Sequence, residues 1–390
     1  MLRISKLSVL IFAGVMTLLF LFGGFMPTSK CLAVTQEGKV RASLLMDYDS
    51  GQILSENNST EGMPIASVTK LMTILLTLES IDNKLLDEEQ VITASETAAG
   101  MGGSQVFLEA GGEYKVIDLL KAAIICSAND ASVLLAESIS GSEADFCNLM
   151  NKRAKELGLT NTNYANATGL PAPMQYSSAQ DVAMVMREVL KHPLYLNLSS
   201  IWMEDFAHPK GRITTMSNTN KLLKTYDLCD GGKTGSTAEA GYCLCATAQN
   251  GNMRLISVVL GADSGKTRFA ESRRLLEYGF NTFESKKLVD KSLNLGENIR
   301  LEKAQENDLQ VFAEKDYSVV VKKGETSSIS AELCLPESIK APLKVGDKIG
   351  TIKVLDNGVL IEEINVLVNN DVDAMSYLKI IQNITKRWQI

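Results

Sequence analysis

The spacing of apolar and polar positions divides the chain into stretches of different character. From Pro64 to Leu78 apolar residues recur on nearly every side. Leu71, Met72, Ile74, Leu75, Leu76 and Leu78 predict a helix at the centre of a domain. Ahead of it, Val40 to Asp47 and Gln52 to Leu54 alternate as a hairpin, turned by Asp49-Ser50-Gly51. Residues 116–190 read as successive helices, with the loop Asn166-Ala167-Thr168-Gly169-Leu170-Pro171 among them. Strand character returns from Gly241 to Ala248 and from Met253 to Gly261, joined by the tight turn signal Asn250-Gly251. A helix from about Arg268 to Tyr278 follows. A helical block between sheet-forming ends predicts an α/β sandwich whose sheet is antiparallel.

Beyond Phe283 the pattern shortens. Leu309 to Ala313, Tyr317 to Val321 and Gly350 to Leu355 alternate between Gly, Asp and Asn, and Asn357-Gly358 marks another hairpin. This predicts a small all-β domain over 285–370. In the last stretch, 371–390, Ala374, Tyr377, Leu378, Ile381, Ile384, Thr385 and Trp388 recur at helical spacing, with Lys379, Lys386 and Arg387 around the polar side. Such a stripe describes an amphipathic helix in a membrane interface, or more plainly one packed on its own domain. At the other end, Arg3 and Lys6 precede an apolar run from Leu7 to Met26. Cys31-Leu32-Ala33 then fits a signal-peptidase site, with cleavage before Val34. Residues 1–33 are therefore expected to be a signal peptide, the competing reading being an uncleaved anchor. No second run of that length occurs, so residues 34–284 and all that follows are expected outside the cytoplasm.

Composition narrows the chemistry. The 390 residues are 45% apolar and 22% charged, enough to bury a core and contrary to disorder. Acidic residues outnumber basic ones, 46 to 39, for a net −7, which argues against nucleic acid as partner. His192 and His208 are the only histidines. A His-rich metal site or a Ser-His-Asp triad is thereby disfavoured, so a nucleophile here needs another base. Six of the seven cysteines follow residue 33, without CxxC spacing and several within apolar stretches; they read as buried free thiols. Cys243 and Cys245 share one strand face.

Three short patterns carry candidate chemistry. Ser67 opens the buried helix and Lys70 stands one turn on, sharing its face. A capping serine prefers Glu or Gln three residues later, and a cation in the first turn opposes the helix dipole. Lys70 therefore asks for another explanation. Burial and the positive helix end both disfavour its ammonium form, and a neutral amine beside a hydroxyl is a base that can take the serine proton. The helix end also offers N–H groups to an oxyanion. Second, Ser127-Ala128-Asn129 follows the apolar run Leu119 to Ile125. Helix capping explains it as readily as catalysis at a cleft floor, and Ser55-Glu56-Asn57 matches the same pattern. Third, Lys233-Thr234-Gly235 enters a strand behind Gly231-Gly232, presenting a cation and a hydroxyl where backbone can approach a ligand carboxylate. Lys233 near Lys70 would depress the amine's pKa further.

In this order, S-x-x-K, S-x-N and K-T-G resemble the serine penicillin-recognising enzymes. Met101-Gly102-Gly103-Ser104, Asn129-Asp130-Ala131-Ser132, Gly169-Leu170 with Tyr176-Ser177-Ser178-Ala179, and Arg268-Phe269-Ala270-Glu271-Ser272 extend the likeness to the low-molecular-mass D-alanyl-D-alanine carboxypeptidases. The resemblance covers essentially the whole chain after residue 33. It implies a β-lactamase-like transpeptidase fold at 34–284, removal of the terminal D-alanine from peptidoglycan stem peptides without metal or other cofactor, and inhibition by β-lactams. Ser67 would be the nucleophile, Lys70 its base and Ser127 a proton relay. Asn129 would hold the acyl-side amide, while Lys233, Thr234, Gly235 and Arg268 would face the carboxylate. The N–H groups of Ser67 and Ser236 would form the oxyanion hole. Ala128, where many relatives carry Gly, and Pro171-Ala172-Pro173 depart from the pattern. A class A-like β-lactamase is the alternative enzyme, but residues 161–180 lack the glutamate that activates its water. A non-catalytic wall-binding protein is the other.

Overall fold

The computed structural model describes residues 38–376, apart from 297–298, 307 and 326–327, together with Ile381. The expected signal peptide and nearly all of the expected C-terminal helix lie outside the described residues. Among the described residues no helix is long and apolar enough to cross a membrane.

Five antiparallel strands form the main sheet. They are β1 (Ala42–Asp47), β2 (Ile53–Asn57), β3 (Cys229–Thr237), β4 (Gly241–Asn250) and β5 (Met253–Ala262), in the order β2-β1-β5-β4-β3. The Asp49-Ser50-Gly51 and Asn250-Gly251 turns sit where the sequence pattern puts them. Alternation along the strands sorts side chains between two cores. Leu44, Met46, Cys243, Cys245, Ile256 and Val258 face the helical cluster. Leu45, Leu244, Ala246, Leu255 and Val259 face Leu275, Leu276 and Phe280 of the helix that follows β5. All six described cysteines are free, and Cys334 alone among them is exposed, contrary to a buried reading.

On the other face, α1 (Lys70–Asp82) runs through the domain centre, its apolar residues buried as expected. Around it stand α2 (Val116–Ile125), α3 (Asn129–Ser140), α4 (Glu143–Glu156) and α5 (Ala179–Val189). The helix predicted from Pro64 begins later than expected. Residues Ala66–Thr69 wind as a 3-10 turn, and α-helix starts at Lys70. Crowding accounts for this. Ala66 takes a left-handed φ of 49°, and the backbones of Gly169 and Gly235 press directly on the turn.

The final helix of this domain, α6 (Gly265–Thr282), begins three residues before its predicted start, where Ser264 Oγ accepts the Thr267 N–H at 3.1 Å. It leads into the strand Phe283–Val289, and Phe283 and Val320 join the α6-side core. Beyond lies a four-stranded antiparallel sheet around Val311, Val354, Ile364 and Val366. Isolated bridges Leu343–Val372 and Ala304–Ala374 pair residues 372 and 374 with this domain, so the helix expected from 371 does not begin there.

Candidate active site

The 3-10 turn, the α2–α3 junction and strand β3 meet at one cleft, bringing the three sequence patterns together. Lys70 is fully buried, and its Nζ lies 3.1 Å from Ser67 Oγ, 2.6 Å from Asn129 Oδ1 and 2.7 Å from the Thr168 carbonyl. Asn129 Nδ2 donates to the Gly102 carbonyl at 2.7 Å, which fixes the amide with its oxygen toward the lysine. Burial holds the Lys70 pKa well below the ordinary lysine value, and the Lys233 charge lowers it further. A neutral amine carries two N–H bonds and one lone pair. In that form the amide oxygen and the carbonyl accept the two hydrogens, which would leave the lone pair for the Ser67 hydroxyl.

Ser127 belongs to the short link between α2 and α3 and is held at φ 63°. It does not cap α3: Ala128 occupies that position, without a side-chain hydrogen bond. Its buried hydroxyl instead accepts from Lys233 Nζ at 2.7 Å. A left-handed non-glycine residue is strained, and here the strain turns a hydroxyl into the cleft. Lys233 lies inside β3 rather than ahead of it, with a second bond to the Thr234 carbonyl at 3.1 Å. Burial, with a smaller contribution from nearby Arg268, brings its pKa down to about 7.

The K-T-G glycine has a steric reason. A Cβ at Gly235 would stand 2.7 Å from the Ile65 carbonyl oxygen and 2.8 Å from Ser67 N, so β3 can approach the serine this closely only without one. Ser236 follows, exposed at the cleft end of the strand. Thr234 Oγ1 bonds Thr219 Oγ1 at 2.7 Å. Arg268 reaches back from α6, its Nη1 donating to the Gly235 carbonyl at 3.0 Å, which ties it to the same strand.

The structure adds groups to which the sequence patterns gave no role. The Thr168 carbonyl belongs to the backbone, and its loop is braced on α1 by Thr73 Oγ1 to the Ala167 carbonyl, 2.7 Å, and on the 3-10 turn by Gln175 Nε2 to Thr69 Oγ1, 2.9 Å. Asp130, fully buried, accepts the Val106 and Leu108 N–H groups at 3.2 and 3.0 Å and pins the segment that also supplies the Gly102 carbonyl. Among the described residues no carboxylate is hydrogen-bonded to Ser67, Lys70, Ser127 or Lys233. Glu143, which reaches the 166–171 loop, accepts the Ala167 N–H at 2.9 Å. No cluster of His, Cys, Asp or Glu suited to a metal ion occurs among the described residues.

Comparison with known proteins matches two family models. One, D-alanyl-D-alanine carboxypeptidase, covers residues 31–264, and the other, the penicillin-binding protein 5 C-terminal domain, covers residues 283–374. The chain is 36% identical over 351 residues to D-alanyl-D-alanine carboxypeptidase DacF of Bacillus subtilis, covering 90% of each. It is 37% identical over 366 residues to DacC of Escherichia coli, covering 91% of this chain and 90% of that one. Among solved structures, penicillin-binding protein 5 of Haemophilus influenzae superposes with a TM-score of 0.69 at 34% identity, over 86% of this chain and 98% of that chain. Penicillin-binding protein D2 of Listeria monocytogenes, in its ampicillin-bound form, gives 0.56 at 33% identity, over 62% and 97%.

Proposed function

Because the chain belongs to the D-alanyl-D-alanine carboxypeptidase family, we propose that its cleft performs that hydrolysis with Ser67 as nucleophile and Lys70 as base. The protein is a penicillin-binding serine hydrolase that removes the terminal D-alanine from peptidoglycan stem peptides. The observation that carries the residue assignment is the buried Lys70 Nζ standing 3.1 Å from Ser67 Oγ, with Asn129 Oδ1 and the Thr168 carbonyl as its other two partners.

Ser67 Oγ attacks the carbonyl of the penultimate D-alanine while its proton passes to Lys70 Nζ. The N–H groups of Ser67 and Ser236 receive the developing oxyanion. Collapse breaks the C–N bond, and the proton reaches the departing amine through Ser127, whose hydroxyl is held by Lys233. The terminal carboxylate is held by Lys233, Thr234 and Arg268, and its negative charge raises the Lys233 pKa so that the ammonium persists in the complex. Water then hydrolyses the acyl-enzyme and returns Ser67. Asn129 holds the acyl-side amide and also orients Lys70. The absence of a glutamate in 161–180 and the engagement of Glu143 by Ala167 support slow deacylation of a penicilloyl adduct rather than β-lactamase turnover. Mass spectrometry after penicillin treatment tests the assignment. A stable adduct on Ser67, with D-alanine released from a D-Ala-D-Ala peptide, supports it, whereas an adduct elsewhere contradicts it.

The family acts on peptidoglycan outside the cytoplasm, and the mature chain is proposed to begin at Val34 after export. Adhesion to the membrane through 371–390 rests on the amphipathic spacing of that segment. N-terminal sequencing of the mature protein and vesicle binding with and without residues 377–390 test the two statements.

A further inference from the structure

Beside the cleft lies a second cavity, of 710 Å³, between the Lys221–Thr225 segment, the start of β4 and the first turns of α6. Lys221, Arg268 and Arg273 face it together with Leu222, Tyr242 and Phe269, and none of its described lining residues is a carboxylate. In a chain of net charge −7 that lining is locally basic, with Arg273 paired to Glu277 at 2.7 Å. Arg268 stands between two rings, 5.5 Å from the Tyr242 centroid and 4.8 Å from that of Phe269. Its Nε is buried without a hydrogen-bond partner, and a buried unmet donor is costly unless a ligand supplies the acceptor. Lys221 Nζ is exposed and engages no partner among the described residues.

Both walls of this cavity are tied to the strand that bounds the cleft. Arg268 reaches β3 at the Gly235 carbonyl. The segment leading into Lys221 reaches it through Thr219 Oγ1 to Thr234 Oγ1 and through Asn220 Nδ2 to the Gly231 carbonyl at 3.0 Å. Arg268 therefore joins this cavity to the strand that carries Lys233 and Thr234, the end of the cleft proposed to hold the substrate's terminal carboxylate. A terminal D-residue seated there has its side chain next to this space. Cations set among apolar surface suit a short aliphatic arm ending in an anion.

Resting on the carboxypeptidase reading, we propose that this cavity is a leaving-group subsite for a terminal D-residue whose side chain carries a second carboxylate. The reaction is the same hydrolysis. The Ser67 Oγ–acyl bond forms, the amide C–N bond breaks, the serine proton leaves with the amine, and water cleaves the ester. The released D-amino acid bears two carboxylates instead of one.

Peptides ending in D-Ala-D-Glu and D-Ala-D-Gln, which differ chiefly in that charge, test the subsite, with D-Ala-D-Ala as reference. Wild type is expected to favour Glu over Gln by about tenfold in kcat/KM. Lys221→Glu erases that preference and leaves D-Ala-D-Ala hydrolysis within about twofold, while Lys221→Arg retains both. Wild type that cleaves D-Ala-D-Ala without preferring Glu over Gln overturns the subsite alone. So does a preference that survives Lys221→Glu. No release from any of the three peptides overturns the carboxypeptidase reading, and the subsite with it.

Discussion

Lys70 Nζ lies 3.1 Å from Ser67 Oγ, and its two shorter contacts, Asn129 Oδ1 and the Thr168 carbonyl, accept hydrogen bonds without donating any. Among its three partners, only the serine hydroxyl has a proton to give. Burial and Lys233 both oppose the ammonium form, so the resting amine is poised to take that proton.

Asn129→Asp replaces a neutral acceptor 2.6 Å from Lys70 Nζ with an anion and favours the charged lysine. The neutral base is then reached only at higher pH. Acylation by penicillin near neutrality is expected to fall by about 10²-fold and to recover as pH rises. Stopped-flow acylation rates against pH check this. An unshifted profile would mean that Asn129 does not set the lysine's charge.

Lys70→Met removes the base and the cost of burying it. Because the folded pKa is below the unfolded value, the unfolded chain binds more protons, so this residue makes stability rise with pH toward about 10.4. The variant should lose acylation, gain about 0.5–2 kcal/mol at neutral pH, and show a shallower rise of stability with pH. Urea unfolding at acidic and alkaline pH measures it. A less stable variant would indicate that the lysine's hydrogen bonds outweigh its desolvation.

Much of this was legible in the sequence. The helix apolar nearly all round could only be central, and the Asn250-Gly251 turn with its flanking strands appears as read. Ser67, Lys70, Ser127, Asn129 and Lys233 all line one cleft. What the pattern hid is backbone. Nothing in local spacing shows that Thr168 would lend a carbonyl across a loop, that Ala66 and Ser127 would turn left-handed, or that the α-helix would wait until Lys70. The Ala66 conformation and the late helix start go with contacts more than fifty residues apart in sequence, Gly169 on Ala66 and Gly235 on Ser67.

Lys233 has a pKa of about 7 in the free enzyme, and substrate carboxylate binding needs its ammonium form. The value of kcat/KM, which reports the free enzyme, should therefore decline as pH rises through about 7, and kcat should decline at distinctly higher pH. Steady-state profiles from pH 5 to 10 check it. A kcat/KM flat to pH 9 would show that Lys233 stays cationic without substrate.

Gly235→Ala would place a methyl 2.8 Å from Ser67 N and drive β3 away from the 3-10 turn. Loss of the aligned oxyanion donor should reduce acylation by about 10²–10³-fold. Acylation kinetics, with circular dichroism to confirm the fold, would report it. A folded variant that acylates normally would separate the Ser67 N–H from the chemistry.

The central claim is that Lys70 is an uncharged amine in the resting enzyme. Carbon-13 NMR of lysine Cε in wild type, with the Lys70 resonance assigned by its absence in Lys70→Met, reads that charge directly. The account predicts a titration well below the ordinary lysine range, with the neutral form populated where the enzyme works. A Lys70 resonance that stays cationic until the pH of an exposed lysine would contradict it.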